Sequence, residues 1–220
     1  MAEAKATFRG RVLDPVERVL EVLFGLIMVL TYTGTLGVLT ADRIQIRTML
    51  IGALGCNLAW GIIDAGMYLM ARLHEQGRNI LMFRKVRDAT DRDAARSAIA
   101  DALPPLLASV LPQEQLDIMH EKLRQLPEPP QRPSLTARDF LGAAAVCLLV
   151  FLSTFPVALP FLFINDARLA LRVSNAIAIV MLFLCGYWLA PSAGLRPWSM
   201  GLAMVAIGGM LVAVAIALGG

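Results

Sequence analysis

VERVLEVLFGLIMVLTYTGTLGVLT, residues 16–40, and MLIGALGCNLAWGIIDAGMYLMA, residues 49–71, are each long enough to cross a lipid bilayer, and each carries an acid within it. About 20 predominantly apolar residues span the hydrocarbon core. Glu21 sits in the first run and Asp64 in the second. An ionised carboxylate in hydrocarbon is expensive, so each requires a cation, a proton or a polar partner. If the two acids face each other, they describe a site for positive charge within a membrane bundle.

The rest of the chain is of the same kind. Its 220 residues are 57 % hydrophobic, with a mean hydropathy of +0.65, too apolar for a soluble domain of this size. Residues 140–164, 169–190 and 198–218 are further membrane-length stretches. The expected fold is therefore all-α: a polytopic membrane protein with five transmembrane helices. The first run is too long for the apolar region of a signal peptide, and no small-residue cleavage site interrupts it.

Positive charge sets the orientation. Lys5, Arg9, Arg11 and Arg18 precede the first run, eleven more Lys and Arg lie between Arg72 and Arg138, and Arg196 stands between the last two runs. Only Arg43, Arg47, Arg168 and Arg172 fall on the opposite side. The positive-inside rule places the N-terminus and the long linker in the cytoplasm and the C-terminus outside. A multi-pass protein of a bacterial inner membrane is expected, with the bilayer as its surroundings. The net charge of +3 then reflects topology and gives no reason to expect a nucleic-acid partner. Cys56, Cys147 and Cys185 all fall within spans and form no CxxC, so they read as small apolar packing.

Three regions follow: 1–72 with helices 1 and 2, 73–137 as a cytoplasmic helical linker, and 138–220 with helices 3 to 5. In the linker, 78–102 reads as a helix that continues helix 2 or follows it after a short break, since only Gly77 interrupts. Its alternating charges, Arg84, Lys85, Arg87, Asp88, Asp91, Arg92, Asp93 and Arg96, suit a solvated helix with ion-pair support. Pro104 and Pro105 break it. Residues 113–126 form a second piece with Leu116, Met119, Leu123 and Leu126 on one stripe. The Pro-rich run 128–133 reads as an extended tether. Thr136 with Asp139 reads as a capping box that opens helix 3. Pro156 and Pro160 predict a kink in helix 3. The Gly and Ala of helix 5 permit close helix approach.

Polar side chains line up on two helices. Asp14, Glu21, Met28 and Thr35 recur every seven residues, nearly two helical turns, with Glu17 and Gly25 beside that face. Carboxylate oxygens suit hard or borderline divalent cations and a thioether suits softer ones, so the mixture fits Fe(II) or Mn(II). The plain alternative for Asp14 and Glu17 is an interfacial acid favoured by the helix N-terminus. On the second helix Asn57 and Asp64 are seven apart, with Gly61 between them and Tyr68 beyond. Asp64 lies eight residues before Arg72, about 12 Å of helical rise. Glu21 lies at a similar depth, so a Glu21–Asp64 site within one protomer or across a dimer axis is possible. The alternative for Asp64 is a protonated carboxyl bonded to Asn57, Tyr32 or a hydroxyl.

Five spans, a charged helical hairpin between the second and third, and an N-in/C-out topology resemble the vacuolar iron transporter family. Glu21-Val22-Leu23-Phe24-Gly25-Leu26 resembles the family's acidic start of helix 1. Asp64-Ala65-Gly66-Met67-Tyr68-Leu69 resembles its acidic and Tyr segment late in helix 2. Residues 151–163, with both prolines, resemble its helix 3, and 174–187 its helix 4. The chain departs from the pattern in two places. The family's mid-helix Asp-Gly pair would fall near Met28-Val29, where no Asp stands. The family's linker carries a dense Glu and Met metal-binding cluster, where this chain offers only Glu114, Asp117, Met119, His120 and Glu121, with His74 and Glu75 at the linker's root. The resemblance implies a homodimer with its pathway at the subunit interface.

Together these features point to a transporter that moves divalent metal ions out of the cytoplasm, coupled to protons, with Glu21, Asp64, Met28, Asn57, Asp14 and Glu17 as candidate ligands. Glu114, Asp117, Glu121 and His120 form a weaker candidate group in the linker. No resident cofactor is expected. A non-transporting scaffold whose linker binds a protein partner is the competing expectation. No HExxH, GxSxG, P-loop or dinucleotide glycine pattern is present, which argues against an enzyme.

Overall fold

A computed structural model describes Leu13, residues 15–35 and residues 43–217. Among these residues the regular elements are all helical: α1 (Pro15–Thr35), α2 (Arg43–Arg87), α3 (Arg92–Ala102), α4 (Pro105–Val110), α5 (Gln113–Arg124), α6 (Ala137–Phe163), α7 (Ala167–Leu189), a 3-10 turn (Ala190–Ala193) and α8 (Pro197–Ala217). Four helical segments, Ile44–Arg87, Ala137–Phe163, Ala167–Ala193 and Pro197–Val214, are long and apolar enough to cross a membrane. The fifth expected span is not among them. It forms α1, which carries Glu17, Arg18 and Glu21 near its start, and residues 36–40 of the expected run lie outside the described residues.

The chain divides into two units, Met1–Tyr68 with Arg138–Gly220, and Leu69–Ala137. In the first, Leu26 and Val29 of α1 pack with Ala53 of α2, Val157 of α6, and Ala178, Leu182 and Cys185 of α7. A second cluster joins Met49 and Leu50 of α2 to Ala158 and Phe161 of α6 and Ala170 of α7. Large apolar side chains also cover the outside: Phe163 is 80 % exposed, and Ile62, Met70, Trp188, Leu202 and Met210 are exposed as well. An aqueous surface would not carry such a coat, but lipid-facing helices require it. The protein is an integral, multi-pass membrane protein.

Glycine sets how closely these helices approach. A Cβ on Gly186 would lie 2.5 Å from the Met200 carbonyl oxygen and 2.9 Å from the Cα of Gly201. One on Gly61 would lie 2.8 Å from the Cys147 carbonyl oxygen. α6 runs unbroken through Pro156 and Pro160. Ser174 of α7 donates to the Val157 carbonyl between them at 2.7 Å. Asp166 caps α7 by accepting from the Leu169 N–H at 2.9 Å, as the short Asn165-Asp166 turn suggests. Gly194 closes the 3-10 turn with a φ of 67°, a left-handed conformation that glycine adopts without strain.

In the second unit α2 continues through Gly77 as one helix of 45 residues, the continuous one of the two readings that Gly77 left open. The break falls instead at 88–91, where the chain reverses. α3 then lays Ala98 and Ile99 on Val86, with Leu116 of α5 completing the core and Met119 and Leu123 against it. Leu126, assigned to the same stripe, ends past α5 and is exposed. The Pro-rich run is held along α2: Arg84 donates to the Pro130 carbonyl at 3.2 Å, and Gln76 accepts from the Ser134 N–H at 3.2 Å.

Candidate functional site

α1 and α2 run antiparallel, and two contacts show it. Gly25 meets Asn57 through a hydrogen bond. Phe24 meets Trp60 edge to face, with ring centroids 5.6 Å apart. Glu21 interacts electrostatically with Asp64 and with Glu17. As the α1 number falls, the α2 number rises. Both acids are half-buried. The two helices therefore set Glu21 and Asp64 at matching levels within range of each other's charge, with Glu17 one turn earlier on α1.

The other candidates divide. Met28 is half-buried on α1. Asp14 lies outside the described residues. Asn57 is 1 % exposed, and its amide does not reach for Asp64. Its Nδ2 donates to the Gly25 carbonyl at 3.1 Å and to Thr154 Oγ1 of α6 at 2.5 Å. Its Oδ1 has no partner among the described residues. Tyr68 rests its ring on Gly142 of α6. Among the described residues, no three His, Cys, Asp or Glu side chains gather into a group that could hold a metal ion. Backbone carbonyls or water would have to complete any coordination shell at the acid pair.

Thr154, Ser153 and Gly25 were not candidates. Ser153 donates to the Val150 carbonyl at 2.7 Å, and a Cβ on Gly25 would overlap Ser153 Oγ. The traces of this node in the sequence were Gly25, one turn after Glu21, and Asn57, on the same stripe as Asp64.

In the linker, Arg96 holds Asp117 in a fork: Nε to Oδ1 at 2.8 Å and Nη2 to Oδ2 at 2.6 Å. The fork holds the Asp117 carboxyl below the ordinary carboxylate range, and the Arg96 guanidinium is held further into its charged form. Both oxygens of Asp117 are thus engaged by a cation. Glu114 and Glu121 are exposed, and His120 is buried with no partner for Nε2 among the described residues. These four side chains line one open cleft with Asp91, Arg92, Lys122 and Arg124, so acids and bases are mixed there and Asp117 is already taken by Arg96.

The fold and the acid pair define a class: an α-helical, multi-pass membrane protein that carries ionisable side chains between its helices. The VIT family profile matches residues 83–220, more than half of the chain, and the chain belongs to this family, the vacuolar iron transporters. Members of this family are membrane metal-ion transporters and not enzymes. The match covers the end of α2, the linker and α6 to α8, and leaves Glu21 and Asp64 on its N-terminal side. No curated protein matches the chain.

Proposed function

We propose that the protein moves divalent metal ions, Fe(II) or Mn(II), out of the cytoplasm in exchange for protons, with Glu21 and Asp64 as the acids that alternate between the two. The observation that carries this reading is the convergence of Glu21 and Asp64 on neighbouring antiparallel helices within a family of membrane metal-ion transporters. A carboxylate binds metal only when deprotonated, so loading a cation releases protons, and return of protons from the far side expels the cation. Glu17 extends the acidic surface toward the start of α1. Met28, on the same face of α1, supplies a softer donor further along the helix. The N-terminus and linker lie in the cytoplasm, the C-terminus lies outside, and the working unit is a homodimer.

The test is metal flux into liposomes at two pH gradients. Glu21→Gln and Asp64→Asn should each lower Fe(II) or Mn(II) flux by about tenfold or more. Flux that persists in the double variant overturns the role of the acids. Wild-type protein that moves none of the ions at either gradient favours the scaffold reading instead.

A further inference from the structure

Asn57 lies two helical turns from Asp64 along α2, and its bonding partner Gly25 lies one turn from Glu21 along α1. We propose that Asn57 is a positioning residue: its amide lashes α1, α2 and α6 at one level and thereby fixes the separation of the two acids. This rests on the transport reading given above.

Three observations carry it. The amide is 1 % exposed and spends both hydrogens across helices, on the Gly25 carbonyl and on Thr154 Oγ1. The absence of a side chain at Gly25 lets α1 press against α6, since a Cβ there would overlap Ser153 Oγ and lie 2.7 Å from the Val150 carbonyl oxygen. α2 is pressed on α6 at Gly61, between Asn57 and Asp64, where the Cys147 backbone leaves no room for a Cβ. The acids therefore hang from a node with little freedom to slide.

The same node is an inefficient way to hold helices together. Asn57 Oδ1 is buried and has no partner among the described residues, and an unsatisfied acceptor offsets much of what the amide's bonds contribute. An apolar residue of the same size should fold about as well. What Leu could not supply is directional attachment to the carbonyl one turn from Glu21. Groups that orient metal ligands characteristically affect affinity more than fold.

Asn57→Leu should therefore raise KM for the transported cation about tenfold or more, with kcat and thermal stability little changed. Thr154→Val, which removes one of the amide's two acceptors, should raise KM in the same direction by less. Gly25→Ala should reproduce the effect from the α1 side, and Ser153→Ala should partly relieve it. An unchanged KM in Asn57→Leu overturns the proposal, as does a fall in kcat and stability together at unchanged KM, the signature of a structural tie. If Asn57→Leu fails to fold, the KM of Thr154→Val decides. A readout independent of transport separates this proposal from the reading beneath it. Spin labels at positions 21 and 64 should give a broader or shifted distance distribution in the Asn57→Leu background, and an unchanged distribution overturns positioning even if the acids prove irrelevant to flux.

Discussion

At the scale of single residues, the structure decides which polar groups are spoken for. Asp117 and Asn57 both looked available as metal ligands from spacing alone. Asp117 is bound by the Arg96 fork, and Asn57 spends its amide on Gly25 and Thr154. Spacing assigns a residue to a face, but a partner 21 or 97 positions away is invisible to it. Glu21 and Asp64 could be read more directly, because an acid in an apolar run is costly wherever its partner lies. The fork has a pH consequence. A depressed carboxyl stabilises the folded form above the ordinary carboxylate range, and that contribution is lost as pH falls toward its folded value. The linker should lose protection as pH drops below about 4, and Asp117→Asn should flatten this dependence. Hydrogen exchange of 92–124 in the full chain, corrected for intrinsic rates, reads it. An acid dependence identical in the variant would remove the fork as its cause.

At the scale of elements, glycine decides the packing. The Gly and Ala content of α8 signalled close approach without saying which positions make it. Gly201 would drive a Cβ to 2.6 Å from the Phe183 ring, and Gly208 to 2.9 Å from Leu182, whereas Gly209 meets nothing within 4 Å. Gly186→Leu should force α7 from α8 and destabilise the protein by about 1–3 kcal/mol. Gly209→Ala should be neutral or stabilising by up to about 1 kcal/mol through reduced backbone entropy. Unfolding of both variants in detergent checks the contrast, and equal losses would show that glycine content matters more than position. The long α2 teaches the converse. Gly77 left a short break in the helix open, but one glycine costs only about 1 kcal/mol. Local preference yields there to the core that Val86 forms with α3 and α5.

At the scale of the whole molecule, charge and hydropathy define how the chain meets its surroundings. Sixteen of the twenty Lys and Arg fall on one side of the expected topology, and the proposed orientation rests on that bias. In a background lacking the native cysteines, Arg168→Cys should react with a membrane-impermeant maleimide added to intact cells, and Ser192→Cys should not. The reverse pattern would invert the topology and with it the direction of transport. The family match, which begins at residue 83, joins this chain to metal-ion transporters through its linker and last three long helices. The acids proposed to carry the ion lie on the other part of the chain, so they must be tested on their own merits.

The sequence by itself determined that the protein is helical, that it crosses a membrane, that a helical linker separates its second and third long helices, and that two acids lie within its apolar runs. These follow from properties that vary along the chain: hydropathy, charge and helical period. Only the tertiary structure decided that α2 is continuous, that Asp117 is paired, which glycines are contact points, and that Asn57 ties three helices one turn from Glu21. Each of these depends on what a distant segment presents at short range, and no local pattern encodes a partner's position.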